Sequence, residues 1–164
     1  MYKEIKSCEV CGSVNLKSVL DLGMQPLCDD LIPIGEDRQS ILYPIEILLC
    51  EKCMTAHQKY QIEKSILFSD SYHYRSRFTN DVLNGMKNLV DSCEDLVGSL
   101  RGCNVLDIGC NDGSLLDYFR EREANTFGIE PTLAALDGVK KDHTIFKNYF
   151  DYESVVKLQD LGVE

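Results

Sequence analysis

The stretch Asn104–Phe119, NVLDIGCNDGSLLDYF, decides the fold. It passes from an apolar run of strand character through Gly109 and Gly113 into leucines and aromatics at helical spacing. A strand, a glycine turn and a helix in that order make the first half of a βαβ unit. The sequence beyond repeats the alternation: NTFGIEP from Asn125 and HTIFKNYF from His143 are further strand candidates, with SLLDYFRER and TLAALDGVK as the helical stretches between. Such alternation implies right-handed crossovers and a parallel sheet, here of about three strands, covered on both faces.

The turn itself narrows the ligand. Gly109-Cys110-Asn111-Asp112-Gly113 lacks the middle glycine of the dinucleotide fingerprint, because Asn111 stands where a backbone would approach a pyrophosphate. Asp107 closes the first strand, and Glu130 closes the second about twenty residues on, where an acid accepts hydrogen bonds from ribose hydroxyls. Backbone N–H groups and a helix N-terminus are expected at the same turn. A nucleoside without a diphosphate suits these features, and S-adenosylmethionine is the commonest such cofactor. Spacing alone leaves open a plainer alternative, in which Asp107 and Glu130 are solvated strand ends and Gly109 and Gly113 are turn residues only.

Upstream, the pattern changes twice. Residues 1–68 read as a small β-rich module, with LKSVLDLG and YPIEILLC as strands and MQPL and IPIGEDRQS as breaks. From Ser71, Phe78, Val82, Met86, Leu89, Val90, Cys93, Leu96, Val97 and Leu100 recur at helical intervals. The expected organisation is a module at 1–68, a long linking helix at 69–102, and a sheet domain at 103–164.

Four of the eight cysteines form two pairs, Cys8-x-x-Cys11 and Cys50-x-x-Cys53. Each pair makes a tight turn that points both sulfurs to one side, and four soft thiolates favour zinc, with iron next. Gly12 suits the sharp backbone after Cys11. Four protein ligands leave no open position, so the expected metal is structural. Buried packing thiols and a redox pair are the alternatives, and His57, close after Cys53, is read as an ordinary histidine that could replace one thiolate.

Composition sets the outer bounds. The chain of 164 residues carries a formal net charge of −10 and 44% apolar residues. It can bury a core, but it opposes adsorption to nucleic acid or anionic lipid, whose binding needs clustered lysine and arginine. MYKEIKSCEV offers no export signal and no later segment reaches membrane-spanning length, so the expected location is the cytoplasm, where cysteines remain reduced.

In order along the chain, CEVCGSVNLKSVLDLGMQPLCDDL, YPIEILLCEKCMTAHQKYQI, SDSYHYRSRFT, VLDIGCNDGSLLDYF and FGIEPT resemble the N-terminal half of the sugar C-methyltransferases. These are S-adenosylmethionine-dependent enzymes with an N-terminal zinc-binding domain that act on nucleotide-linked keto-deoxysugars. The resemblance implies that the sheet domain is part of a Rossmann-like class I methyltransferase fold, that Cys8, Cys11, Cys50 and Cys53 hold zinc, and that Cys28 is no ligand. It also implies that Tyr72, Tyr74, Ser76 and Thr79 line the cofactor and acceptor cleft, that Gly109, Asn111, Asp112 and Gly113 form the cofactor turn, and that Glu130 binds ribose. Arg77 departs from the family, which has a second serine there. The chemistry implied is removal of a proton beside a keto group and attack of the enolate on the sulfonium methyl. None of His57, His73 and His143 matches a catalytic position, and no base is named.

Family members continue into a second half that covers the sheet. A separate C-terminal half or an oligomer is therefore the expected partner, and a nucleotide sugar the expected substrate. Two function classes follow: a methyltransferase complete only with that half, or a zinc-stabilised binding module that retains at most S-adenosylmethionine. Iron with electron transfer is a third. The sugar, the methylated carbon and the assembly state are not legible.

Overall fold

The structure, a computed structural model, describes residues 2–70 and 72–163. The chain divides into two compact units, Met1–Ser69 and Asp70–Glu164. Both are built as the alternation and the cysteine pairs require: a β-rich unit holding the cysteines, then an α/β unit with a parallel three-stranded sheet. Among the described residues no helix is long and apolar enough to cross a membrane.

In the first unit, β1 (Tyr2–Glu4) pairs antiparallel with β5 (Tyr60–Ile62). β2 (Leu16–Pro26) pairs antiparallel with β3 (Leu42–Cys50), which pairs in turn with β4 (Ala56–Gln58). Irregularities between Ser18 and Leu20 and between Asp21 and Gly23 interrupt the long β2–β3 ladder. Ile5, Cys8, Leu48, Cys50 and Ile62 are the buried residues, so two of the four paired cysteines belong to this small core. A short helix, α1 (Lys64–Leu67), closes the unit.

In the second unit a stretch without regular structure and one 3-10 turn, Ser76–Phe78, precede α2 (Asn80–Val97). The helical periodicity was expected to start near Ser71, which lies outside the described residues. Instead Tyr72–Arg75 lies outside any helix or strand, with Arg75 itself extended, and is fastened by contacts described below. α2 ends at Gly98, whose φ of +85° a residue with a Cβ would adopt only with strain. It buries Val90 against Leu100, Phe119 and Ala124, with Cys93, Val105, Leu115 and Tyr118 around them, so the helix forms part of the second unit's core.

β6 (Asn104–Ile108), β7 (Asn125–Ile129) and β8 (Thr144–Phe146) lie in the order β6-β7-β8, all parallel. α3 (Ser114–Arg120) and α4 (Ala135–Val139) occupy the crossovers. The third strand is shorter than HTIFKNYF suggests, because after Phe146 the chain turns and Asn148 N–H donates to the Phe146 carbonyl (2.9 Å). A final helix, α5 (Tyr152–Asp160), is an element the strand-centred reading passes over. Its signal was present: Asp151 is an N-cap whose carboxylate accepts from Ser154 N–H (2.9 Å). β7 has a strand on each side and is mostly buried, whereas β6 is bonded on one side only and ends at Ile108, 54% exposed.

Candidate metal centre and candidate cofactor turn

The two cysteine pairs adopt one local structure. Gly12 N–H donates to the Cys8 carbonyl (2.9 Å) and Met54 N–H to the Cys50 carbonyl (2.8 Å). Cys8 N–H donates to the Ser13 carbonyl (2.7 Å) and Cys50 N–H to the Thr55 carbonyl (2.9 Å). Each knuckle needs a left-handed residue after its second cysteine: Gly12 at φ +71° supplies it freely, while Met54 at φ +60° does so against steric preference.

The knuckles bring all four sulfurs within 4.8 Å of one another. Cys8 Sγ lies 3.5 Å from Cys53 Sγ, and Cys11 Sγ 3.6 Å from Cys50 Sγ. A tetrahedral zinc with Zn–S bonds of about 2.3 Å separates its sulfurs by about 3.8 Å, so the donor set fits the ion. The thiols are unequal: against a Ser13 backbone N–H that lowers it, burial and the neighbouring sulfurs raise the Cys11 thiol to about 11. The Thr55 hydroxyl and backbone N–H lower the Cys53 thiol to about 6, and the Cys53 backbone N–H holds the Cys50 thiol below its ordinary value. Cys28 is exposed and is not one of the four. His57 is not one of them either; its Nε2 lies 3.2 Å from Cys8 Sγ.

In the second unit the glycine turn follows β6. Gly109 has φ +83°, and a Cβ built on it would meet nothing within 4 Å, so the backbone there borders open space. Gly113, at φ +73°, is packed instead: a Cβ would lie 3.0 Å from His143 Cδ2 and 3.2 Å from Gly138 Cα. The two glycines thus serve different needs, one an open approach and one close packing.

Asn111, in the place of the missing fingerprint glycine, has φ +50°, a conformation that asparagine tolerates better than most residues. Its side chain makes two bonds to the protein. Oδ1 accepts from Ser76 N–H (3.1 Å), and Nδ2 donates to the Tyr74 carbonyl (3.2 Å). Asp112, with a side chain 0% exposed, accepts from Ser114 N–H (3.2 Å) and Ser114 O–H (2.6 Å) on Oδ1. On Oδ2 it accepts from Arg77 N–H (3.2 Å) and the Arg77 guanidinium (3.3 Å). One N–H of the first turn of α3, that of Ser114, is therefore taken by a carboxylate standing just before the Gly113 N-cap.

These bonds fasten Tyr72–Thr79 to the turn. Arg75 Nε and Arg77 Nη1 both donate to Asp137 Oδ2, each at 2.9 Å, and hold the Asp137 carboxyl below the usual carboxylate range, Arg77 contributing most. Arg75 Nη1 also donates to the carbonyls of Tyr72 (3.2 Å) and Tyr74 (2.8 Å). The Tyr72 and Tyr74 rings meet edge to face at 6.5 Å. Ser76 is buried, with its N–H on Asn111. Thr79 precedes α2 without a side-chain cap bond. Arg75 and Asp137 are residues sequence reading missed, and Arg77, noted there only as a departure from the family, joins them. The arginines alternate visibly in YRSRF, but nothing local points to an aspartate some 60 positions on.

Glu130, 5% exposed, joins the turn to the next loop: Oε2 accepts from Asn111 N–H (3.1 Å) and Oε1 from Thr132 N–H (2.8 Å). Asp107 sits beside it, and burial, then the Glu130 charge, raise its carboxyl above the ordinary value. Burial also pushes the Cys110 thiol up to about 12. The sulfur packs where a Cβ on Gly128 would stand, 2.6 Å away, which makes that glycine necessary. Behind the turn, His143 bridges Thr126 Oγ1 (2.8 Å) and Asp117 Oδ1 (3.1 Å), a structural place rather than an exposed one. A groove of about 360 Å³ between α2 and α3 includes Arg77, Ser114 and Lys141 but none of Asp107, Gly109 and Glu130, so it is separate from the open side of Gly109.

Comparison with known proteins finds likenesses to the chain. Residues 8–68 match a family model described as "Putative zinc binding domain". The chain is 28% identical over 146 residues to "C-methyltransferase NovU" of Streptomyces niveus. That alignment takes in 88% of this chain and 34% of the relative, so the chain spans about one third of the length of the curated relative it matches. The matched zinc-binding region, the four-cysteine cluster inside it and a likeness running through the glycine turn support the family of C-methyltransferases that carry an N-terminal zinc-binding domain.

Proposed function

We propose that the second unit binds S-adenosylmethionine at the open side of Gly109, as the N-terminal part of a C-methyltransferase acting on a nucleotide-linked keto-deoxysugar. The observation that carries this reading is the left-handed Gly109 bordering open space, with Asp107 just before it and Glu130 fixed across from it. When bound, the cofactor supplies an electrophilic methyl group.

The residues of the chain have separable tasks. Gly109 lets the ligand approach the backbone where a side chain would intervene. Glu130 offers the oxygen lone pairs left over from its two backbone bonds to ribose hydroxyls, while those same bonds fix its orientation. Asp107, with Glu130, makes the pocket floor acidic, which favours a sulfonium and an ammonium over a phosphate. Asn111, Asp112, Ser76 and Gly113 act by shape, keeping Tyr72 and Tyr74 beside the turn. Zinc, on four cysteines, stabilises the first unit and takes no part in the chemistry.

A partner completes the enzyme in this reading. β6 carries one neighbour and an exposed Ile108, and a further polypeptide corresponding to the rest of the relative's length is proposed to cover that edge and to bring the base and the acceptor site. The net charge of −10 favours a small-molecule substrate over nucleic acid, and a cytoplasmic location is proposed from the free thiols. The same one-third coverage favours a second statement: by itself the chain binds without turnover.

Titration calorimetry of the zinc-loaded chain with S-adenosylmethionine tests the cofactor claim. Saturable heat is expected, abolished by Gly109→Val, and methyl transfer is expected only when the remaining polypeptide is supplied. Absence of heat together with an unmoved melting temperature at millimolar cofactor would defeat the proposal.

A further inference from the structure

His57 lies beside the four-cysteine set without belonging to it. On β4 it stands opposite Leu48 of β3, and residues paired across a ladder share a face. Leu48 and Cys50, two apart on β3, share that face and are both buried, so the register directs His57 to the cysteine side. Its Nε2 reaches Cys8 Sγ at 3.2 Å, and Cys8 is 2% exposed. Other sulfurs have their own donors, the Thr55 hydroxyl (3.2 Å) and N–H on Cys53 and the Cys53 N–H on Cys50, and on Cys8 that place is taken by the Cys11 N–H (3.5 Å) together with His57.

We infer that His57 is an outer hydrogen-bond donor to the Cys8 thiolate, a positioning residue that tightens the hold of the four cysteines on zinc without joining the ligand set. This rests on the zinc reading of the cluster. Four thiolates around a dication leave two negative charges in a partly desolvated site, in a chain that is itself strongly acidic. An N–H pointed at one sulfur disperses that charge and fixes the sulfur's direction. Such outer donors change metal affinity by about 10-fold to 100-fold in comparable sites.

The test uses the whole chain, zinc, a competing chelator of known affinity, and cobalt(II) as a spectroscopic substitute. The wild-type cobalt form should show the pattern of four sulfur ligands. His57→Phe should weaken zinc retention by about 10-fold to 100-fold and shift the sulfur-to-cobalt charge-transfer band, while His57→Gln, which keeps an N–H donor, should restore most of both. Equal retention in all three proteins overturns the inference, as does a wild-type cobalt spectrum with a nitrogen ligand, or a glutamine variant as weak as the phenylalanine one. A wild-type chain that takes up neither ion defeats the zinc reading itself, and the inference with it.

Discussion

Asp112→Ala is the sharpest perturbation of the second unit. The carboxylate is fully buried and accepts four hydrogen bonds, from Ser114 N–H, Ser114 O–H, Arg77 N–H and the Arg77 guanidinium. Its truncation empties the place in front of Gly113, the N-cap of α3. It also strands donors: two backbone N–H groups lose a charged acceptor, at roughly 1.5 to 3 kcal/mol for such a bond and less where water can enter. Arg77 keeps Asp137 at 2.9 Å, so its charge is not orphaned and contributes little to the loss. The sum is roughly 3 to 5 kcal/mol, a large part of the 5 to 15 kcal/mol that holds a typical domain together. Urea denaturation of the zinc-loaded chain, followed by far-ultraviolet circular dichroism, should show the α/β unit unfolding at markedly lower denaturant while the metal unit is unmoved. Asp112→Asn should fall between, since an amide oxygen can still accept from Ser114 but its NH2 group would face the Arg77 donors. A midpoint within experimental error of wild type for Asp112→Ala would refute the view that this residue clamps Arg77 and α3 to the turn.

Gly128→Ala should destabilise the same unit by about 1 to 3 kcal/mol, because the new methyl would stand 2.6 Å from Cys110 Sγ; adding Cys110→Ala should recover much of that, and a double variant no better than the single would count against this packing account. Asp107→Asn should stabilise the unit at neutral pH. The folded state holds the Asp107 proton more tightly than the unfolded state does, so this carboxyl favours folding below its unfolded pKa and opposes it above its raised folded one; the variant's advantage in denaturant midpoint should therefore shrink as the pH falls through that window, and a pH-independent difference would contradict it. Gly12→Ala, with space around the new methyl but φ at +71°, should lower the stability of the zinc-loaded first unit by about 1 kcal/mol, measured by thermal melting, whereas an unchanged or higher melting temperature would mean the left-handed knuckle is not required.

Both units were legible in the sequence wherever the information was local. The strand-turn-helix of NVLDIGCNDGSLLDYF and the strands after it follow from apolar periodicity, which a short window contains in full, and the paired cysteines announce a metal centre because each knuckle is a turn of a few residues. The sequence by itself thus determined the alternation that yields a parallel sheet, and the donor chemistry of the N-terminal unit.

Tertiary structure alone decided how those parts are used. Asn111 and Asp112 read as ligand-facing residues of the turn, and the folded chain sets Ser76, Tyr74, Arg77 and Ser114 against them while Gly109 borders open space. His57 reads as ordinary and proves to touch Cys8, 49 positions away. A buried polar group must find a partner wherever the folded chain provides one, and that choice depends on distances across the fold that no local pattern encodes.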